Sequence, residues 1–472
     1  MKPILQTRDS CANQPKAVFP DGRTFVTERR PQANRERLMI RKVLVVLVFF
    51  GCFVLANAAA QQPSAKVEAE ISNPQNVASG TQGLDDLIQE ALKKNPGVQS
   101  ALRQVEALRH RVPQAKTLPD PTVSVGWAGN ITPFSVQQGD PSSYRGISAS
   151  QSIPYPGKLK LRGEMADREA EAAWWDYEAA RRKLVADVKS AYYDYFAAAK
   201  AVEITQKNKD LLQKLSSIAE ARYRVGKGVQ QDVLRSQVEI SLLEQRLTVF
   251  EQQQRTAQAR LNTLLYRDPE ATLPSPDSFE PAKIGHSLDE LYTLAREQDT
   301  GLQREQRMIE RNQYAVNLAQ KDYRPDFSVG YMYQQRPDMQ DMHGFTVSAN
   351  IPIFYRTKQR EAVREQTEQL VSSQRSKENR QTELSFAVKQ QYLLAKSSEQ
   401  LLKLYSQAIV PQSSLALESS MASYQVGAVD FLTILTNFTV VLDYQVSYYR
   451  ELANYQMALA SLEPLVGVEL TK

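Results

Sequence analysis

Hydrophobic positions along the chain keep two rhythms, and the rhythms change over in the same order twice. Leu84, Leu87, Ile88, Ala91 and Leu92 recur at i, i+3, i+4 spacing, which predicts a helix from Leu84 to about Thr117. The period then drops to two. Val123, Val125 and Trp127 alternate with Thr122, Ser124 and Gly126. From Tyr144 to Ile153, Ile147, Ala149 and Ile153 alternate with Gly146, Ser148, Ser150 and Ser152. This predicts a strand pair with one apolar face and one small, polar face. Pro154 and Pro156 lack the N–H that would extend the ladder, and Gly157 permits a turn. A charged, Ala-rich helical pattern follows, from about Lys158 to Arg224, with a stripe that includes Val188, Tyr192, Tyr195, Ala199 and Val202. At ~1.5 Å per residue it would be ~100 Å long. Gly226 and Gly228 interrupt it, and a return helix is predicted to about Tyr266.

The second half repeats the plan. GLDDLIQEALKKNPGVQ (Gly83–Gln99) matches SLDELYTLAREQDTGLQ (Ser287–Gln303), and Gly126 of PTVSVGW matches Gly330 of DFSVGY, both at an offset of 204. SIPYPGK matches NIPIFYR, with Ile153 and Ile351 198 residues apart. YRVGKGVQQDVL matches YQVGAVDFLTIL, and LNTLL matches LEPLV, both at 201. Five matches in one order imply a duplicated half, and the period is too long for a solenoid. Phe327, Val329, Tyr331 and Tyr333 alternate with Ser328, Gly330 and Gln334. Phe345, Val347, Ala349 and Ile351 alternate with Thr346, Ser348 and Asn350. The expected organisation is a first repeat over 83–266 with a hairpin at 121–153, a Pro-rich connection over 267–286, and a second repeat over 287–472 with a hairpin at 325–353.

Helices of ~100 Å imply a coiled coil, a tube or a fibre, and the interrupted heptads favour lateral packing of several helices. Strands of this length and alternation fit an outer-membrane barrel, apolar outside and polar within. A half-exposed sheet of a water-soluble domain alternates in the same way. Four strands are too few to close a membrane barrel. Unpaired N–H and C=O groups exclude open edges in lipid. Strands that span a bilayer would therefore have to be shared among chains: eight from two, twelve from three. A lumen wide enough for cargo favours three.

Charge and leader residues add the compartment. Residues 1–42 hold ten Lys/Arg and four Asp/Glu, so the whole of the formal net charge of +5 belongs there, and the remainder carries a net charge of −1. That is no argument for nucleic acid. Arg41 and Lys42 precede the apolar run Val43–Ala60, which ends in small residues. Residues 1–60 are expected to be leader and signal peptide, with 1–38 upstream of the true start, and 61–82 a flexible segment. A membrane anchor is the alternative for the apolar run. Cys11 and Cys52 both fall in the leader, and lipid modification of Cys52 is a further alternative.

Taken together, the duplicated LDxL helix start, the hairpins, SIPYPGKL, and the YxxG turns at Tyr223–Gly226 and Tyr424–Gly427 resemble the TolC family of outer-membrane efflux proteins. The resemblance spans about Leu84 to Leu470. It implies a mainly α fold with a membrane β-barrel portion: a homotrimer with a shared 12-stranded barrel and a long periplasmic α-barrel, in the outer membrane of a Gram-negative bacterium. It implies an exit duct for drugs or metal ions, with a periplasmic adaptor (membrane fusion protein) and an inner-membrane pump as partners. Pro119–Pro121 with the PGKL form resembles the branch paired with resistance-nodulation-division pumps. The family's YxxG turns are its adaptor-docking tips; carried over, these are Arg222, Val225, Gly226, Lys227, Val426, Gly427 and Ala428. Family members often carry an aspartate six residues after the tip glycine. Asp232 stands there in the first half; the second has Thr433, with Asp430 three residues after Gly427. Asp232, Asp430 and Thr433 are thus the gate candidates. Pro154, Pro156, Gly157 and Pro352 are the expected barrel-to-helix coupling.

No catalytic constellation, cofactor motif or metal-ligand spacing stands out. His110, His286 and His343 are widely separated, and GxxxxGK[ST] is absent. The chain is expected not to be an enzyme. The competing functions are a type I secretion channel, which differs only in its partners, and a soluble periplasmic coiled-coil adaptor, which would lack the paired hairpins.

Overall fold

The computed structural model describes residues 83–130, 135–274, 276 and 279–471. The expected leader and the 61–82 segment lie outside these residues. Two short helices open each half: α1 (Leu84–Lys94) and α2 (Pro96–Lys116), then α5 (Leu288–Gln298) and α6 (Thr300–Lys321). This corrects the single helix expected to run from Leu84 to about Thr117. Asn95 ends α1 and caps α2, its Oδ1 accepting from Gly97 N at 2.9 Å, with Pro96 as first helical residue. Proline there needs no N–H partner, and the residue before it is pushed out of the helical region. Asp299, 204 residues on, caps α6 through Leu302 N at 2.8 Å and pairs with Arg380 at 2.9 Å.

The strands β1 (Thr122–Ala128), β2 (Tyr144–Ile153), β3 (Asp326–Gln335) and β4 (Met342–Asn350) form one antiparallel sheet in the order β1-β2-β3-β4. The hairpins are joined through β2 and β3, where Ile153 lies opposite Phe327 and Arg145 opposite Gln335. Register carries the alternation across all four strands. Thr122, Ser150, Gly330 and Thr346 form one row, and Val123, Ala149, Tyr331 and Phe345 the next. Ser124, Ser148, Met332 and Gly344 follow, then Val125, Ile147, Tyr333 and His343. The rows of small and polar residues share one face, and the apolar and aromatic rows the other. Val125, Phe345 and Val347 are among the most exposed large apolar side chains. β1 and β4 are the sheet's two edges.

After the sheet come the long helices α3 (Lys158–Arg224) and α4 (Gln230–Leu264). The second half has α7 (Gln359–Leu404), a π turn (Tyr405–Ile409), α8 (Val410–Gln425) and α9 (Phe431–Val466). The π turn interrupts what the sequence predicted as one helix. Pro411 cannot donate, and its ring would meet the carbonyl of residue 407; one wider turn relieves both constraints. No helix among the described residues is long and apolar enough to cross a membrane.

The core is a series of clusters strung along the helices. Leu212, Leu243, Phe431, Ile434, Phe438 and Leu442 fill the region near the helix turns. Leu87, Ile88 and Ala91 of α1 pack on Leu184, Val188 and Leu261. In the second half Leu291 and Ala295 of α5 pack on Leu384, Val388 and Leu462 in the same manner. Between these lies a buried ion pair. Lys189 Nζ donates to both Glu463 oxygens, at 3.0 and 2.8 Å, and Glu463 also accepts from Leu470 N and Thr471 N. This ties the C-terminal residues to the middle of α3. Lys189→Met would leave the Glu463 carboxylate buried without its cation. Detergent-extracted protein should lose about 3–5 kcal/mol in denaturant unfolding. Breaking the exposed Arg375–Glu378 pair should cost about 0–1 kcal/mol. Equal losses in the two variants would refute this assignment.

Candidate functional site: the helix turns and the sheet-to-helix elbow

The turns at the ends of α3 and α8 are built alike. Gly226 N donates to Tyr223 O at 3.0 Å and Lys227 N to Arg222 O at 2.9 Å. Gly427 N donates to Tyr424 O at 3.0 Å and Ala428 N to Ser423 O at 2.9 Å. Each is a Schellman cap, which requires a left-handed residue after the helix. Gly226 (φ 71°) and Gly427 (φ 79°) supply it. A Cβ at Gly226 would meet nothing within 4 Å, so conformation rather than space demands glycine there. Val225 and Val426, just before the glycines, are 68% and 82% exposed.

The side chains are not alike. Arg222 crosses from the first turn to the second. Its guanidinium lies 4.5 Å from the Tyr424 ring centroid, and Nη1 donates to the carbonyls of Tyr424 and Gln425. Tyr424 is buried, and its hydroxyl donates to Asp232 Oδ2 at 3.4 Å. The structure thus gathers Arg222, Asp232 and Tyr424 into one network that ties the α3–α4 turn to the α8–α9 turn. Sequence reading missed the role of Tyr424 because the YxxG match treats it as equivalent to Tyr223, which is exposed. Asp430 is used locally: it caps α9, accepting from Thr433 N at 2.9 Å, and Thr433 Oγ1 binds the same carboxylate. Val225, Lys227, Val426 and Ala428 sit on the exposed outer surface of the turns.

Asp232 and Asp430 differ in electrostatics. Burial pushes the Asp232 carboxyl above its ordinary value, offset in part by the Tyr424 hydroxyl and Arg235. The Thr433 side chain and backbone N–H hold Asp430 below its ordinary value.

At the other end of α3 the elbow from β2 is tightly held. Gly157 takes φ 89° ahead of the helix, and Pro154 is buried. Tyr155 N donates to Asp326 Oδ1 at 2.7 Å. The buried Lys158 pairs with Asp322 and Asp326, both at 2.9 Å. Burial alone would lower the Lys158 pKa, but hydrogen bonds to the two carboxylates outweigh it and raise the pKa. No sequence signal joins Lys158 to residues so distant in the chain. Pro156 is exposed, and its carbonyl accepts from Lys321 Nζ at 3.4 Å. In the second elbow Pro352 is half-buried, while Ile351, Ile353 and Phe354 are exposed. No group of three or more His, Cys, Asp or Glu fit to hold a metal occurs among the described residues.

A four-stranded sheet carried on paired helices of this length defines the class: the channel-tunnel fold. The family model described as outer membrane efflux protein matches residues 87–265 and 291–468, and the chain belongs to that family. Its setting is accordingly the outer membrane, and its work is efflux. No curated protein matches the sequence. Among solved structures the chain is similar to the outer membrane protein VceC of Vibrio cholerae. The TM-score is 0.69 at 15% identity, over 82% of this chain and 96% of that one. It is also similar to a membrane protein of Pseudomonas aeruginosa, with TM-score 0.70 and 18% identity over 81% and 93% of the two chains. The open-state outer membrane channel MtrE of Neisseria gonorrhoeae gives TM-score 0.67 and 18% identity over 87% and 97%.

The two aspartates predict opposite responses to acid. The Asp232 pKa is raised on folding, so this group favours the folded state more as pH falls through its raised value toward about 4, and less as pH rises again. The Asp430 pKa is lowered, so its contribution is present above about pH 4 and is lost as pH falls from there through its lowered value. Thermal unfolding against pH should flatten above about pH 4 in Asp232→Asn and below it in Asp430→Asn. Identical profiles for both variants would remove the distinction.

Proposed function

We propose that three copies of the chain close one twelve-stranded barrel in the outer membrane. Their helices continue it as a periplasmic tube, and the whole serves as the passive exit duct of a tripartite pump for small toxic compounds, drugs or metal ions. The observation that carries this is the sheet: four strands, apolar on one face and polar on the other, with two open edges. In lipid an unpaired edge is excluded, so other copies must supply the missing partners. On this reading the two halves derive from one duplicated unit, and their elbows couple barrel to tube. The glycine turns are the periplasmic tips where an adaptor docks. The pump behind it is read as the resistance-nodulation-division type. The Arg222–Tyr424–Asp232 network is read as the latch that holds the two tip turns together, so opening requires it to part.

Mass measurement of the detergent-extracted protein, corrected for bound detergent, tests the ring: a trimer from the outer-membrane fraction is expected, and a soluble monomer would sink the reading. Val125→Arg should impair barrel assembly, since an arginine at mid-bilayer on a lipid face costs about 2–4 kcal/mol; normal assembly would mean that the faces are reversed. Gly226→Val with Gly427→Val should leave trimers intact and abolish export in cells. Full export in that double variant would remove the tips from the docking model.

A further inference from the structure

The join between the two halves of the chain serves as a template for the join between chains. Within the chain, β2 pairs with β3 so that Ile153 faces Phe327, and the elbow after β2 packs on the α6–β3 junction through Lys158, Asp322 and Asp326. The elbow recurs 198 residues on and the junction 204 residues back. Applying those two offsets carries the join onto β4 and β1, the strands with open edges. We propose that β4 of one copy pairs antiparallel with β1 of the next in a single register, with Ile351 facing Val123. The elbow Ile353–Tyr355 then covers Leu118 of that neighbour. The proposal rests on the reading that copies share one barrel and specifies how they meet.

Three observations support it. The first is parity. In this register Ala349 faces Val125, Val347 faces Trp127, and Asn350 faces Ser124, so apolar rows continue as apolar and polar rows as polar. A shift by one residue would reverse every row.

The second is matched chemistry. Inside the chain both sides of the join are polar: Lys158 on the elbow, Asp322 and Asp326 on the junction. In the corresponding places between chains the cation is kept as Arg356, both carboxylates are gone, replaced by Leu118 and Thr122, and apolar residues appear on both sides. Leu118 stands where Asp322 would, and Ile353 and Phe354 stand where Tyr155 and Pro156 would. Alone, the chain leaves Phe354 76% and Leu118 45% exposed, whereas Pro154 and Lys158 of the first elbow are buried. A second copy buries both apolar surfaces at once. Arg356, the counterpart of Lys158, then falls beside the exposed Asp120, the counterpart of Arg324, whose carbonyl accepts from Lys158 at 3.4 Å. The charges are complementary.

The third is closure. Following the row Ser124, Ser148, Met332 and Gly344 across the proposed join arrives at Asn130, six residues farther along β1's direction. Six residues at ~3.3 Å over four strand spacings of ~4.8 Å tilt the strands by about 45°, within the range of closed membrane barrels.

Cysteine pairs decide the matter, because residues 53–472 contain no cysteine. Ser124→Cys with Asn350→Cys places thiols on opposite edges of the sheet in one chain but face to face across the join. Covalent trimer is the expected main band on non-reducing gels, and Thr122→Cys with Asn350→Cys should give little. Leu118→Cys with Phe354→Cys should also cross-link. The pairs alter different elements, so poor folding of one leaves the other to decide. A trimer by mass that cross-links through Thr122, or through neither the Ser124 nor the Leu118 pair, overturns the register and leaves the shared barrel standing. A monomer by mass without cross-links overturns both.

Discussion

A backbone N–H or C=O group cannot be left unpaired in hydrocarbon, and the rest of this structure follows from that constraint. Each unpaired group costs several kcal/mol. β1 and β4 each present a full row of them. A four-stranded sheet so exposed is tenable only if its edges meet others like themselves. If copies close one barrel, as proposed, rotational closure fixes the remaining features. The polar face must turn inward, so small residues such as Ser124, Ser148 and Gly330 line it. The apolar face must turn outward, so Val125, Phe345 and Val347 are left bare on the single chain. A duct with such a mouth needs walls below it, and α3 with its ~100 Å length supplies them.

The elbows show how two periodicities are joined without slack. A strand side chain repeats every two residues and a helix side chain every 3.6, so the junction cannot continue either pattern. Pro154 ends the ladder, Gly157 takes a positive φ ahead of the helix, and Lys158 locks the first helical turn to Asp322 and Asp326. Lys158 is buried while its two carboxylate partners reach solvent, so removing the carboxylates would strand the buried cation. At the far end the turns use the opposite strategy. Backbone geometry is fixed by the Schellman caps, while the side chains of Val225 and Val426 are left to solvent. In the proposed duct these bare apolar side chains are the surface offered to an adaptor.

Periodicity made much of this legible in advance. The bounds of α3 and β2 follow from Gly157, Gly226 and the alternation ending at Ile153. Breaks of different origin were not legible. Asn95-Pro96 lies within a pattern whose apolar positions continue in phase, so hydrophobic spacing alone reads through it. Pro411 is absorbed by a π turn rather than by a helix end, because the helices around it stay packed on α9. The tip network was half visible. Gly226 and Gly427 mark the turns, yet nothing in the sequence says that Arg222 reaches across to Tyr424 while Asp430 is spent on a helix cap. Long-range ion pairs such as Lys189–Glu463 have no local signal at all.

The same reasoning accounts for a fold kept at 15–18% identity to known structures. Each constraint here is on a class of residue at a parity or a φ, not on one residue. An outward row accepts valine, isoleucine, phenylalanine or tyrosine, as Val125, Ile147, Phe345 and Tyr331 illustrate. A helix contact accepts alanine or leucine where space allows. Only the turns are exacting, because a positive φ after a helix is costly for every side chain with a Cβ. Sequence divergence can therefore proceed along the strands and helices while the turns at Gly226 and Gly427 hold the frame. On the proposed reading of a duplicated unit, the two halves of this one chain have diverged in the same way. They keep the tip glycines Gly226 and Gly427, while Tyr355 stands where Gly157 would and Leu118 where Asp322 would.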